Sequence, residues 1–345
     1  VVKLLKELCE TPGISGREQP IINIMQKELK KHCSSVSIDN LGNVIGIKKA
    51  KKKNPLKVMI AGHMDEIGFI VSHIDKSGFI KFVPRGGHIP KVLISQRVRI
   101  FGKKEIIGVV EGAPAFLNAN DRDKAPEFKN MFIDTGMTAK QLKKMIEIGD
   151  PIVLDRLFEE QGDNYISKAF DDRVGCYVVL ETMKRLFKKQ LDVEVYAVGS
   201  SMEEVGIRGA MGASKDIQPD IGVALDVTAA FDTPGVAPEQ QVTTLGGGVA
   251  IKINDMATIS NHGIVKFMKK LATQSKIKYQ TEILPFGGTD AKGMQMFGSG
   301  AVATLSVPTR YVHSPNEIIN KKDLEATIKL LVKFIENAHK CKMEF

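Results

Sequence analysis

The segment Leu56 to His73, LKVMIAGHMDEIGFIVSH, restricts the fold more than any other part of the chain. Val58-Met59-Ile60-Ala61 is a short continuous apolar run, which reads as a strand buried on both faces. Gly62 ends it, and His63, Asp65 and Glu66 follow at once. Side chains two apart on an extended segment point the same way. His63 and Asp65 can therefore face one point at the mouth of a sheet, where open α/β sheets hold their ligands. Polar atoms placed straight after an apolar strand need partners, and a metal ion would satisfy both. A plain turn carrying two polar residues explains this stretch, taken alone, equally well.

The rest of the chain supplies the setting. Its 345 residues, 43% hydrophobic and 26% charged, suit one large or two moderate globular domains with a sizeable core. Four cysteines without C-x-x-C spacing argue against a disulfide framework and fit a reducing, cytoplasmic setting. No apolar run approaches 18 residues and the first residues are amphipathic, so neither a membrane span nor a secretion signal is expected. Net charge is +9, with much of the excess in Lys48-Lys49-Ala50-Lys51-Lys52-Lys53. That run could touch nucleic acid or acidic lipid. No aromatic residue is interleaved to stack on bases, and Asn54-Pro55 follows, so a solvated hairpin loop is expected and no nucleic-acid partner.

Read in order, Val1 to Glu10 predicts a helix, and Ser15 with Glu18 forms a capping-box pattern ahead of a second one. Val36 to Ile47 predicts a hairpin. From residue 67 to 160 short β-type runs (Phe69–Val71, Phe79–Val83, Val92–Ile94, Val98–Ile100, Ile106–Val110) alternate with Gly, Asp and Lys turns. Thr138 and Gln141 cap one helix among them. This texture reads as a small β-rich module inserted into a larger domain formed by residues 1–66 and 161–345, with 121–130 as its most mobile loop. Beyond Tyr165, helices at 172–188, 258–275 and 324–339 alternate with strands at 193–198, 221–225, 277–284 and 301–307. That alternation predicts a mixed, mainly parallel sheet flanked by helices.

Several strand ends in this α/β part run directly into acids or histidine. Ala169-Phe170 leads into Asp171-Asp172, Ala197–Met202 into Glu203-Glu204, Val223–Leu225 into Asp226, and Ser306–Val312 into His313. With His63 and Asp65 this makes two histidines and up to six carboxylates that one sheet edge could gather. Like charges so close repel unless cations neutralise them. Two divalent ions bridged by a carboxylate need this donor type, imidazole plus carboxylate without thiolate. Singly, each piece has a bland explanation: Asp171-Asp172 could cap the next helix, Glu203-Glu204 could be a solvated turn, and His313 a loop residue.

The set HMDEIGF (63–69), AFDDRVG (169–175), SSMEEVGIRGA (200–210), LDVTAAFDTPG (225–235), FGGTDA (286–291) and PTRYVHSPNE (308–317) resembles the M42 metallo-aminopeptidases, from Thr11 to the final helix and in order. The resemblance implies a zinc-peptidase-like catalytic domain whose inserted module is a PDZ-like dimerisation domain, building dimers into a dodecamer. It implies that His63, Asp171 and Asp226 hold one zinc or cobalt ion, and that Asp171, Glu204 and His313 hold another. Glu203 would be general base and acid, and Asp65 would orient His63 or support that base. Asp171-Asp172 would be joined by a cis peptide bond. The implied reaction removes N-terminal residues from peptides with a free N-terminus. Two glycines in Phe286–Asp290 permit close backbone approach, so Gly288, Thr289 and Asp290 are expected to bind substrate, together with Arg310. Lys292 stands where the family pattern leads one to expect a small residue, and it could favour acidic substrate side chains.

Two rival functions share some of these features. Paired carboxylates could serve glycoside hydrolysis, but a chain with no Trp lacks the usual aromatic platform and the two histidines would have no role. A non-catalytic metal-binding shell protein leaves Glu203 as a spare carboxylate without purpose.

Overall fold

The computed structural model describes residues 2–112, 126–298 and 300–344. In chain order the elements are α1 (Val2–Glu10), α2 (Gln19–Leu29), β1 (Ser35–Ile38), β2 (Val44–Lys48), β3 (Leu56–His63), β4 (Gly68–Ile74), β5 (Ile80–Arg85), β6 (Arg97–Phe101), β7 (Glu105–Glu111) and β8 (Phe132–Asp134). Then come α3 (Ala139–Leu142), β9 (Pro151–Leu154), β10 (Glu159–Gln161), β11 (Asn164–Ser167), α4 (Phe170–Leu186), β12 (Val193–Ser200), α5 (Arg208–Ile217) and β13 (Ile221–Ala229). The chain closes with β14 (Val249–Asn254), α6 (His262–Gln274), β15 (Tyr279–Ile283), α7 (Asp290–Phe297), β16 (Val302–Arg310), β17 (Glu317–Asn320) and α8 (Lys321–Asn337).

One 11-stranded sheet runs in the order β1-β2-β12-β3-β13-β16-β17-β11-β10, with β14 pairing β16 and β15. Its centre, β12-β3-β13-β16, is parallel, and both flanks are antiparallel. The apolar run of β3 explains the layering. Val58 and Ile60 enter the core under α1, α2, α4, α6 and α8, whereas Met59 and Ala61 enter the opposite core against Ala213 and Ile217 of α5 and Ala291 and Met294 of α7. A strand that feeds two cores has no polar face to show, hence its unbroken hydrophobicity.

The inserted module is a closed barrel, β4-β5-β8-β7-β6-β9, with its own core around Phe69, Ile100, Ile133 and Ile152. Two local expectations change here. Val92–Ile94 is not a strand: Pro90 starts a 3-10 turn instead. The Thr138–Gln141 capping box forms, but the helix it starts stops at Leu142. Only 126–130 of the loop expected to be mobile lies within the described residues, and Phe128–Asn130 makes a 3-10 turn there. Nor is the lysine run a hairpin loop, because β12 lies between β2 and β3 and the run is a crossover.

Strand β3 meets helix α4 backbone to backbone. A Cβ on Gly62 would lie 2.5 Å from the carbonyl carbon of Gly175, a distance that neither element can relieve without moving apart. Gly62→Ala is therefore expected to destabilise the fold by about 1–3 kcal/mol or more, read as a lower urea midpoint at unchanged m-value.

Candidate metal centre

At the carboxyl edge of the parallel strands, the ends of β3, β12, β13 and β16 and the start of α4 converge. Donor atoms of His63, Asp171 and Asp226 lie within 4.8 Å of one another, as do those of Asp171, Glu204 and His313, so Asp171 belongs to both groups. His63 Nε2 is 3.1 Å from Asp171 Oδ1, and His313 Nε2 is 3.2 Å from Asp171 Oδ2 and from Glu204 Oε1. Glu203 stands beside the groups without joining either, its Oε2 3.9 Å from His63 Nε2. The Asp171-Asp172 peptide bond is cis.

These residues are held from behind by polar atoms that consume the strand ends' free N–H groups. Asp65, fully buried, accepts the Glu203 N–H on Oδ1 (3.0 Å) and the Glu204 N–H on Oδ2 (3.1 Å), with the Ser15 hydroxyl at 2.6 Å. His63 Nδ1 donates to the Asp65 carbonyl at 3.0 Å, which leaves Nε2 as the nitrogen facing the cluster. Asp172 accepts the His63 N–H at 3.0 Å and the Gly175 N–H at 2.9 Å, locking β3 to α4. Ser15 and Glu18 thus do not form a capping box. No side chain caps α2, and Glu18 instead accepts the Met202 N–H at 3.0 Å. Their spacing matched a helix signal while their role is to brace the loop that carries Glu203.

Electrostatics shows what the cluster lacks. Burial, then repulsion from Asp171, holds the Asp226 carboxyl well above the usual range. Burial also raises Glu203 and Glu204, and the neighbouring imidazoles only partly offset it. His313 is the converse: burial opposes its imidazolium, but Glu204 and Asp171 push it up to about 12. His63 is likewise raised, by Asp171 and Asp65 against burial. The imidazoles are pushed toward their charged form by the same carboxylates that a cation would neutralise. Glu204 Oε1 is buried and makes no hydrogen bond. A buried carboxylate oxygen whose near neighbour is another metal-type donor, His313 Nε2 at 3.2 Å, and a donor set of imidazole and carboxylate fit a hard or borderline divalent ion.

An open cavity of about 780 Å³ lies over these groups. Ile207, Ala229, Phe231, Leu284 and Phe286 give it apolar walls, Gly288 and Thr289 line it, and Gly87 and Ile89 reach it from the barrel. Phe231 and Phe286 sit partly exposed with ring centroids 6.2 Å apart. Two of the expected substrate contacts are turned elsewhere. Asp290 is 1% exposed and bonds the Ser200 hydroxyl, and Arg310 makes two bonds to Asp232, at 2.6 and 2.8 Å. Neither lines the cavity, and neither does Lys292. The cation that does is Lys252, buried on β14 between Asp255 and Glu282, each 3.1 Å away. Its setting among Val249, Ala250, Ile251 and Ile253 reads as an ordinary strand, and nothing local marks it.

An α/β sheet with a barrel inserted after its first parallel strand, and with acid and imidazole donors gathered at its carboxyl edge, defines the class. The chain belongs to the M42 glutamyl aminopeptidase family, whose pattern matches residues 42–330. It is 35% identical over 351 aligned positions to the lysyl aminopeptidase of Pyrococcus furiosus, covering 97% of this chain and 96% of that one. The solved aminopeptidase of the archaeon Desulfurococcus kamchatkensis superposes with a TM-score of 0.93 at 38% identity, over 97% and 94% of the two chains. The TET1 peptidase of Pyrococcus horikoshii, which can assemble into a tetrahedron or a large octahedral shell, superposes with a TM-score of 0.86 at 26% identity, over 97% and 98%. Among the described residues no helix is long and apolar enough to cross a membrane.

Proposed function

We propose that this protein is an aminopeptidase that removes N-terminal residues from peptides, with Glu203 as the proton-transferring group. The observation that carries the reading is a carboxylate placed beside two donor groups that share Asp171, yet belonging to neither. His63, Asp171 and Asp226 would hold one divalent ion, and Asp171, Glu204 and His313 the other, zinc or cobalt as the family resemblance implies. When bound, such ions polarise a carbonyl and make water easier to ionise.

The chain's own residues do the rest. Glu203 faces the cavity with its backbone N–H pinned by Asp65, so its carboxylate can take a proton from the attacking water and return it to the leaving amine. Asp65 keeps Glu203 and Glu204 pointing to their separate tasks. Ile207, Leu284 and the two phenylalanines offer an apolar surface to the first side chain, and Gly288 allows the peptide backbone to pass closely. The barrel, with Val83, Ile89, Ile107 and Ile148 exposed, is the surface on which subunits would pair, and a closed homo-oligomer would follow from repeated pairing.

The test is a panel of aminoacyl-p-nitroanilides with metal-stripped protein before and after zinc or cobalt is restored. Metal-dependent release from free amines, absent with N-acetylated substrates, is expected. Release from no residue type, beside activity on a soluble glucan, would overturn the reading.

A further inference from the structure

Glu317 is the first residue of β17, and β17 lies between β16 and β11 in the sheet. It is antiparallel to both, so it begins at the edge where they end. Beyond β16 the chain reaches His313; beyond β11 it reaches Asp171. Glu317 is 2% exposed and gives one oxygen to each loop: Oε2 accepts the Asp171 N–H at 3.1 Å, and Oε1 accepts the His313 N–H at 2.9 Å. The two residues it grips are those whose side chains meet at 3.2 Å in the second donor group.

The loops need such a grip. Ala169, Tyr311 and His313 all adopt left-handed backbone conformations, at φ 59°, 60° and 63°, which side chains disfavour and which persist only when the surroundings impose them. Glu317 has no lysine or arginine salt bridge among the described residues. Burying a carboxyl group costs more than burying an apolar side chain of that size, and the two N–H bonds, one on each oxygen, are its compensation. Packing alone gives no reason for an acid here; spanning two loops does.

We propose that Glu317 is a positioning residue that sets His313 against Asp171 and thereby fixes the affinity for a divalent cation at the Asp171–Glu204–His313 group. The His63–Asp171–Asp226 group depends on it less, because His63 is held by Asp172 and by the Asp65 carbonyl. The proposal rests on the two-ion reading above. In Glu317→Gln the amide oxygen can accept from one loop only, while the NH2 group faces the other loop's N–H. Glu317→Asp, one methylene shorter, also reaches one loop only, and it carries the same comparison should the Gln variant not fold.

The experiment is calorimetric titration of metal-stripped full-length protein with cobalt, with bound metal counted by mass spectrometry and the visible cobalt bands followed in parallel. One ion per chain is expected to bind as in the wild type and the second about 10–100-fold more weakly, the usual effect of losing an outer partner of a ligand. Two ions bound with wild-type affinities, beside a lowered unfolding midpoint alone, would show a structural role and overturn the proposal. An equal fall in both steps would overturn the assignment to the His313 group. A wild-type protein that takes up fewer than two ions would instead sink the two-ion reading, and the clamp with it.

Discussion

Glu203→Gln is expected to lower kcat on the best aminoacyl-p-nitroanilide by about 10²–10⁴-fold, the range for removing a general base and acid. Metal content, measured by mass spectrometry on the same preparation, is expected to stay at the wild-type level. The reason lies in the geometry: Glu203 belongs to neither donor group. Its backbone N–H stays on Asp65 whatever the side chain, and the amide fills the same space but cannot take a proton. Glu204→Gln makes the contrast. Glu204 Oε1 is a donor of the second group and has no other hydrogen-bond partner, so that change is expected to reduce bound metal as well as rate. A Glu203→Gln enzyme with kcat within tenfold of the wild type would remove the proton-transfer role. Loss of metal in the same variant would reassign Glu203 to ion binding.

Most donors at this site are legible because they stand at or just past a strand end: His63 closes β3, Glu203-Glu204 follow β12 and His313 follows β16, whereas Asp226 ends an apolar run that β13 continues to Ala229. Strand-end placement is a local signal, and the chain itself carries it. Of the groups that hold those donors, Asp65 is implied by the family resemblance; Ser15, Glu18 and Glu317 are not legible, because each reaches its partner across the fold. Ser15 to Asp65 spans 50 residues, and Glu317 to Asp171 spans 146. Ser15 and Glu18 even imitate a helix cap, since Ser-x-x-Glu is also what two bracing side chains on one bend look like. Asp290 is expected at the substrate because two neighbouring glycines permit close backbone approach, and Arg310 is expected there with it. Asp290 instead bonds the buried Ser200 hydroxyl and Arg310 the half-buried Asp232.

The fold shows the same division. The buried strands β3 and β13 announce themselves through continuous apolar runs, β16 through Val302, Ala303, Leu305 and Val307 broken by Thr304 and Ser306, and α4 and α8 through length. Helices α5 and α7 escape such a reading because they are short, with Gly, Ala and Ser along α5 and Ala291 and Gly293 on the α7 face that meets it, so that close contact stands in place of an apolar stripe. A Cβ on Gly293 would stand 2.8 Å from the Met211 nitrogen, so small residues there are a requirement of packing. The barrel's six short strands were visible as texture, but their closure into a ring depends on the pairings of β4 with β9 and of β6 with β9.

Lys252→Met is expected to destabilise the protein by about 3–5 kcal/mol at neutral pH, the cost of leaving buried charge without its partner. Burial works against the Lys252 ammonium, but Glu282, Asp226 and Asp255 outweigh it and keep the group protonated. Lys252, Asp255 and Glu282 are all nearly inaccessible. Lys252 and Glu282 are register partners on β14 and β15, and neither Glu282 oxygen has a hydrogen bond, so the lysine is that carboxylate's counter-charge. Methionine fills similar volume and removes the charge together with the hydrogen bond to Asp255. Asp255 is better placed to survive, since it also accepts the Ala257 N–H at 2.9 Å. The double change Lys252→Met with Glu282→Gln is therefore expected to recover more than half of the loss, which a double-mutant cycle on urea midpoints reads directly. Lys322→Met, at an exposed pair with Asp163, is the matching control and is expected to move nothing measurable. A Lys252→Met protein as stable as the wild type would mean that the two carboxylates reach water through the cavity. The floor of that cavity would then be a hydrated acidic surface rather than a neutralised one.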